Sequence, residues 1–207
     1  MADRKRGRLI VFEGIDGGGK STQAGRLAVR LSEFGYEVVS LREPTDGRWG
    51  RLIREKAGSA DSLTPSQELE LFVKDRRENV RRRILPALIA GRIVVLDRYY
   101  FSTMAYQGAK GIDPAEIRRL NEAFAVIPDL VFMLDIDAGN GLERIANRGR
   151  RDWLFEREDY LGKVRDIFLS LRDDYIHHID ARRPPDAVAA EIEAIALEVI
   201  TRSETTK

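Results

Sequence analysis

Lys20 and Ser21 stand near the end of a run, Gly14-Ile15-Asp16-Gly17-Gly18-Gly19-Lys20-Ser21-Thr22, whose first six residues include four glycines. Glycines let backbone N–H groups turn inward and approach phosphate oxygens closely, and a helix starting at once adds a field that favours anions. The Lys20 ammonium would reach β- and γ-phosphates, and the Ser21 hydroxyl would ligate Mg²⁺. The spacing G-x-x-x-x-G-K-[ST] carries this meaning only between a strand and a helix. Leu9-Ile10-Val11 before it reads as a buried strand, and Leu27, Leu31 and Phe34 after it recur at helical spacing. In that context the run is a nucleoside-triphosphate site rather than a plain glycine-rich turn, with Gly14 through Thr22 as the phosphate cradle.

A second pair with chemical potential is Asp97-Arg98. Asp97 ends the apolar run Ile93-Val94-Val95-Leu96, where an acid can hold Mg²⁺ or its water shell. In isolation such an Asp also serves as a turn former or helix cap; beside a phosphate loop the metal role is favoured. Arg98 can clamp a phosphate with two parallel hydrogen bonds.

Composition narrows the classes. The 35 basic and 34 acidic side chains nearly cancel, so no global field draws nucleic acid. Arg76-Arg77, Arg81-Arg82-Arg83 and Arg148 to Arg151 bunch locally, and each bunch reads as a solvated face. The chain lacks cysteine, which removes disulfides and thiolate metal sites. No apolar run approaches the roughly 20 residues of a membrane span, and basic Met1 to Arg8 leads into no signal-peptide pattern, so a cytoplasmic protein is expected, with no membrane partner. At 207 residues, one domain with a small lid is expected.

The elements that would position these residues alternate. Gly35 should stop the first helix; Glu37 to Leu41 is a second strand, and residues 47–57 form a short helix. Thr64-Pro65-Ser66-Gln67 opens a long helix as a capping box, to bend or break at Pro86 and end at Gly91. Ile93 to Asp97 is the third strand. Asp113-Pro114-Ala115-Glu116 reads as another capping box for a helix to about residue 125. Leu130 to Leu134 is a fourth strand, followed by helices near 138–147 and 156–174. Ile176 to Ile179 is a candidate fifth strand, His177 and His178 belong to it rather than to a metal site, and a last helix follows Pro185. Alternation implies a parallel α/β sheet covered on both faces, with ligands at the carboxyl ends of its strands. Loops from Gly14, Arg42, Asp97, Ile136 and Asp180 should therefore meet in one crevice.

With these residues in order, the chain resembles the thymidylate kinase family. Asp97-Arg98-Tyr99, Ser102 and Ala105-Tyr106-Gln107-Gly108 are similar to that family's DRY-x-x-S-x-x-AYQG stretch. Phe12 to Gln23 resembles its phosphate loop, Arg42-Glu43-Pro44 its REP segment, and Leu71-Phe72 through Asp75-Arg76 its LF-x-x-DR helix. Arg144 to Arg148, Phe155-Glu156-Arg157 and Ile179-Asp180-Ala181 resemble its lid and last loop, so the likeness covers residues 9–188. The resemblance implies a three-layer P-loop kinase fold with a five-stranded parallel sheet in the order 2-3-1-4-5, a lid at about 147–156 and a homodimer. It implies phosphorylation of dTMP to dTDP by ATP with Mg²⁺.

By the same resemblance Phe72 would stack on thymine, where periodicity alone places it in the core. Arg76, which by itself reads as a solvated helix arginine, would bond a base carbonyl. Thr103 would face the base N3–H, with Gln107 and Pro44 beside the acceptor. Tyr106 would occupy the space of a ribose 2′-hydroxyl, Asp16 would meet the sugar 3′-hydroxyl or the magnesium shell, and Arg42 and Arg98 would hold the 5′-phosphate. Arg144 would lie by ATP.

Some relatives carry an arginine where this chain has Gly17; here Arg148 and Arg150, with Arg151 beside them, would supply the missing charge. The segment Arg42 to Gly50 departs from the REPGGT form, and Asp152-Trp153-Leu154-Phe155-Glu156 from DRFE. Two other readings of the loop stay open: a kinase for another nucleotide or nucleoside, and a nucleotide-dependent switch, for which no N-K-x-D motif is present.

Overall fold

Alternation of short apolar strands with amphipathic helices gives the chain its layers. The computed structural model describes residues 7–57, 63–146 and 154–202. In chain order the elements are β1 (Arg8–Glu13), α1 (Lys20–Glu33), β2 (Val38–Arg42), α2 (Arg48–Lys56) and α3 (Pro65–Asn79). A π-helical turn (Val80–Ile84) leads to α4 (Leu85–Ile89), β3 (Ile93–Asp97), α5 (Tyr100–Gly108), α6 (Pro114–Glu122) and β4 (Leu130–Asp135). The rest is α7 (Ala138–Ala146), α8 (Leu154–Ser170), β5 (Ile176–Asp180) and α9 (Pro185–Arg202).

The strands form one five-stranded parallel sheet in the order β2-β3-β1-β4-β5. Leu9 to Phe12, Val94 to Leu96 and Leu130 to Leu134 are all buried, as expected for strands covered on both faces. Registry then decides which side chains meet at the crevice. Phe12 and Arg42 both pair with Asp97, so these three sit at one level at the carboxyl edge of the sheet, with Glu13 one residue beyond. Asp135 pairs with Asp180 farther along that edge, which makes the fifth strand real and starts its following loop at the same edge.

Local signals explain most boundaries. Thr64 and Gln67 form the expected reciprocal capping box, the Thr64 N–H donating to Gln67 Oε1 at 2.9 Å. At α6 the Asp113 carboxylate accepts instead from the Ala115 N–H at 2.9 Å, an Asx turn in place of the expected box with Glu116. The long helix from Thr64 breaks earlier than Pro86: its last α-helical residue is Asn79. Proline lacks an N–H and crowds the carbonyl four residues back, here Arg82. The wider π turn spanning Arg82, whose last bond runs from the Leu85 N–H to the Val80 carbonyl, makes that room and leaves Pro86 in the first turn of α4. The penultimate helix starts at Leu154 and ends at Ser170, four residues short of the expected end.

Helix α5 carries no periodic signal, because it is buried nearly all round. Tyr100, Phe101, Thr103, Met104 and Ala105 face different neighbours, and every one is at most 3% exposed. No helix among the described residues is long and apolar enough to cross a membrane.

Candidate active site

The loop between β1 and α1 is shaped by its neighbours. Gly14 has φ +133°, and a Cβ there would lie 2.4 Å from the Leu134 carbonyl oxygen. Gly17 has φ +85° and packs on α7, where a Cβ would lie 2.2 Å from the Gly141 oxygen. Both positions require glycine for backbone conformation and for space. In this backbone the same contact leaves no room for an arginine side chain at position 17.

Lys20 is buried at the start of α1, and its ammonium donates to the Ile15 carbonyl at 2.7 Å, folding the loop over it. Burial and then the Arg98 cation push its pKa down to about 8, against the pull of Asp16, Asp97 and Glu13. A polyanion would supply the missing counter-charge. Ser21 donates through its hydroxyl to Asp97 Oδ2 at 2.5 Å, while the buried Oδ1 of Asp97 has no partner. An orphaned carboxylate oxygen beside a serine hydroxyl is an all-oxygen set of the kind a hard divalent cation takes. Among the described residues no group of three or more His, Asp or Glu side chains is arranged to hold a metal ion by itself. The Ser21 and Asp97 oxygens nonetheless fit Mg²⁺.

Around this loop lies a cavity of about 500 Å³ lined by Asp16, Gly17, Gly19, Lys20, Ser21, Thr22, Arg42, Glu43, Pro44, Arg54, Asp97 and Arg98. Arg98 and Arg42 reach it as expected; Arg54 is an addition. Arg54 donates to the Pro44 carbonyl at 3.1 Å and to Asp46 Oδ1 at 3.0 Å, so α2 holds it against the REP segment. Nothing in the periodicity of residues 47–57 distinguishes Arg54 from its solvated neighbours.

An adjoining cavity of about 330 Å³ is lined by Phe72, Ser102, Thr103, Tyr106, Gln107, Tyr160 and others. Phe72 is only half-buried and lies outside the core cluster, so its ring is a wall of this cavity rather than core packing. Arg76 is not a solvated arginine: it is 1% exposed and donates to Glu43 Oε2 (2.7 Å), Asn121 Oδ1 (2.7 Å) and Thr103 Oγ1 (3.1 Å). It stands behind Thr103, outside the residues that line the cavity. Glu43, fully buried, also accepts from Asn79 Nδ2 at 3.0 Å; burial raises its pKa, opposed chiefly by Arg76. Asp75 accepts from both the N–H and the hydroxyl of Thr45, at 2.7 and 2.6 Å. The divergent REP segment is thus bolted to α3 by buried charge. Gln107 is buried with its Oε1 unpartnered in the cavity wall. Tyr106 packs edge-on against Tyr160 and Phe168, and its backbone carbonyl accepts from the Tyr160 hydroxyl at 2.8 Å.

Asp16 is ion-paired with Arg98 Nη2, so the two expected acceptor-side residues already touch. Arg144 donates to the Ala181 carbonyl at 3.1 Å, tying α7 to the loop after β5. Arg148, Arg150 and Arg151, the lid at 147–156 as a functional unit and the side chains of Phe155 to Arg157 fall outside the described residues. Sequence reasoning passed over Glu13, Ser102 as a working side chain, and Tyr160. Glu13 and Ser102 lie inside matched motifs with no role of their own assigned, and a helix tyrosine gives no signal until its neighbours are known.

A glycine loop running from a parallel strand into a helix, with an acid on the adjacent strand at the carboxyl edge, places the chain in the class of P-loop nucleotide-binding proteins. The family model described as thymidylate kinase matches residues 12–192. A thymidylate kinase from Akkermansia muciniphila is 52% identical over 91% of this chain and 90% of its own length. A probable thymidylate kinase from Archaeoglobus fulgidus is 46% identical over 90% and 93%. The crystal structure of thymidylate kinase from Ehrlichia chaffeensis superposes with a TM-score of 0.76 at 31% identity, covering 92% of this chain and 99% of that one. The chain belongs to the thymidylate kinase family.

Proposed function

We propose that this chain transfers the γ-phosphoryl group of ATP to dTMP, giving dTDP and ADP. One observation carries the reading: Asp16, Pro44 and Arg98 line both cavities, so a molecule held by Phe72 and Thr103 would present its phosphate to the Lys20 loop. In this reading ATP lies along Gly14 to Thr22 with Arg144 near its other end. The acceptor base stacks on Phe72, its polar edge facing the Thr103–Arg76 pair and Gln107. Tyr106 takes the room of a 2′-hydroxyl and so selects deoxyribose by exclusion. Arg98, Arg42 and the newly found Arg54 hold the acceptor phosphate.

An oxygen of that phosphate attacks the γ-phosphorus in line, and the bond to the β-bridging oxygen breaks as ADP leaves. No strong base is needed, since an ionised phosphate is already a nucleophile. Lys20 and Arg98 stabilise charge spread over the transferring oxygens. Ser21 and Asp97 would hold Mg²⁺, which would help neutralise the charge of the transferring phosphates. Arg148 and Arg150 in a lid at 147–156 complete the reading through the family resemblance, as do a homodimer, checked by sedimentation, and a cytoplasmic setting, checked by fractionation.

The test is an ADP-release assay with Mg·ATP against dTMP, dUMP, dCMP, dGMP and thymidine separately. Strong preference for dTMP is the expected outcome. Preference for another acceptor would discard the base pocket, and release indifferent to all of them would discard phosphoryl transfer in favour of a nucleotide switch.

A further inference from the structure

Glu13 is a fully buried acid that the proposed reaction does not use. Its Oε1 accepts from the backbone N–H of Tyr99 at 2.7 Å and of Ser102 at 3.1 Å. Its Oε2 takes the Ser102 hydroxyl at 2.5 Å, and that same hydroxyl oxygen meets Arg98 Nη1 at 3.0 Å. A guanidinium only donates, so Ser102 Oγ accepts from Arg98, and where Glu13 is ionised the Ser102 hydroxyl donates on to its carboxylate.

Arg98 is the one non-glycine among the described residues with positive φ, at 69°. That conformation costs an L-residue roughly 1–2 kcal/mol and persists only where surroundings over-determine it. Here the Arg98 N–H is taken by the Phe12 carbonyl at 3.0 Å and the very next N–H by Glu13. One carboxylate therefore fixes both ends of Arg98, the backbone just beyond it and, through Ser102, one edge of its guanidinium. The other edge reaches Asp16, whose side chain is 42% exposed. The Glu13 end is sealed in the protein.

We infer that Glu13 is a positioning residue for the acceptor phosphate, aiming the Arg98 guanidinium through the Ser102 hydroxyl. This rests on the reading of Arg98 as the phosphate clamp. A purely structural role, capping the first turn of α5, is the alternative, and two substitutions separate them. In Glu13→Gln the amide oxygen can still accept both N–H groups, but its NH₂ then faces Ser102 Oγ and competes with Arg98 for it. In Ser102→Ala the backbone cap is untouched and the relay is cut, together with whatever this cavity-wall hydroxyl gives the acceptor directly.

The experiment measures KM for dTMP and for Mg·ATP, kcat, and the ratio of dTMP to thymidine affinity by calorimetry, for both variants and for Arg98→Ala. The expected result is a roughly tenfold fall in the dTMP-to-thymidine ratio and a matching rise in dTMP KM for both variants, the scale of one charge-assisted hydrogen bond, with ATP KM and thymidine affinity unchanged. If Arg98→Ala lowers the ratio and neither variant does, the positioning role is overturned while the clamp stands. If Arg98→Ala leaves the ratio unchanged, the clamp fails and the inference falls with it. Should Glu13→Gln not fold, Glu13→Asp, whose shorter side chain draws the carboxylate back from Ser102, is measured in its place beside Ser102→Ala, and an unchanged ratio in both overturns the positioning role.

Discussion

The two cavities that meet at Arg98 are built from different parts of the polypeptide. The phosphate side is made of backbone: loop carbonyls and N–H groups, glycines pressed against Leu134 and Gly141, and Lys20 folded onto Ile15. The acceptor side is made of side chains from α3, α5 and α8, fixed by buried polar networks around Glu43–Arg76 and Glu13–Ser102. A backbone site tolerates little change anywhere along it. A side-chain site distributes its work, so single losses there should be smaller and confined to the acceptor.

The largest effects should therefore come from the loop. Lys20→Ala should lower kcat about a thousandfold or more, as expected for removing a fixed cation from developing phosphoryl charge, with dTMP binding in the absence of ATP little altered. Gly17→Ala should approach the same loss although it deletes no functional group, because its Cβ has nowhere to go. A Gly17→Ala enzyme with near-normal turnover would break the comparison at its root. Arg98→Ala comes next: at the junction, it should cost about a hundredfold in kcat/KM for dTMP, shared between KM and kcat. Unchanged kinetics would remove Arg98 from the site.

Within the acceptor cavity, Phe72→Ala should raise dTMP KM about tenfold, the scale of one lost stacking contact plus its buried area, and leave ATP KM alone. Because Phe72 lies outside the core cluster, the same change should shift the melting temperature little. A large drop in melting temperature would return Phe72 to the core reading that helical spacing suggests.

The division between backbone and side chains also governs how much was legible beforehand. Strand order, the loop and the metal-side pair Ser21–Asp97 follow from apolar runs and one motif, because backbone sites write themselves into glycine spacing. The acceptor residues were reached only through family resemblance. Helix α5 presents no stripe, since it is buried on all sides, and Arg76 looks solvated until Glu43, Asn121 and Thr103 are known to surround it. The roles of Arg54 and Glu13 had no local signal: what each does depends on partners 10 and more than 80 residues away. The early break at Val80 was misplaced for a similar reason, the strain of Pro86 being relieved one turn upstream of the proline itself.

The smallest effect tests the buried side-chain network through its titration. Burial pushes the Glu13 carboxyl up from 4.5 to about 7, against the hydrogen bond from Ser102 and the attraction of Arg98. Folding thus takes up a proton between those two values. The corresponding contribution to stability is full below about 4.5 and is lost as pH rises through about 7. Glu43 shifts in the same direction, so the wild-type pH profile alone cannot isolate Glu13; its difference from Glu13→Gln can. Across that window the wild-type melting temperature should fall relative to the variant by several degrees. Parallel profiles would mean that Glu13 keeps one charge state throughout. The chain from Arg98 through Ser102 would then run to a carboxylate already ionised at acid pH, and the acceptor side would be as fixed electrostatically as the loop is sterically.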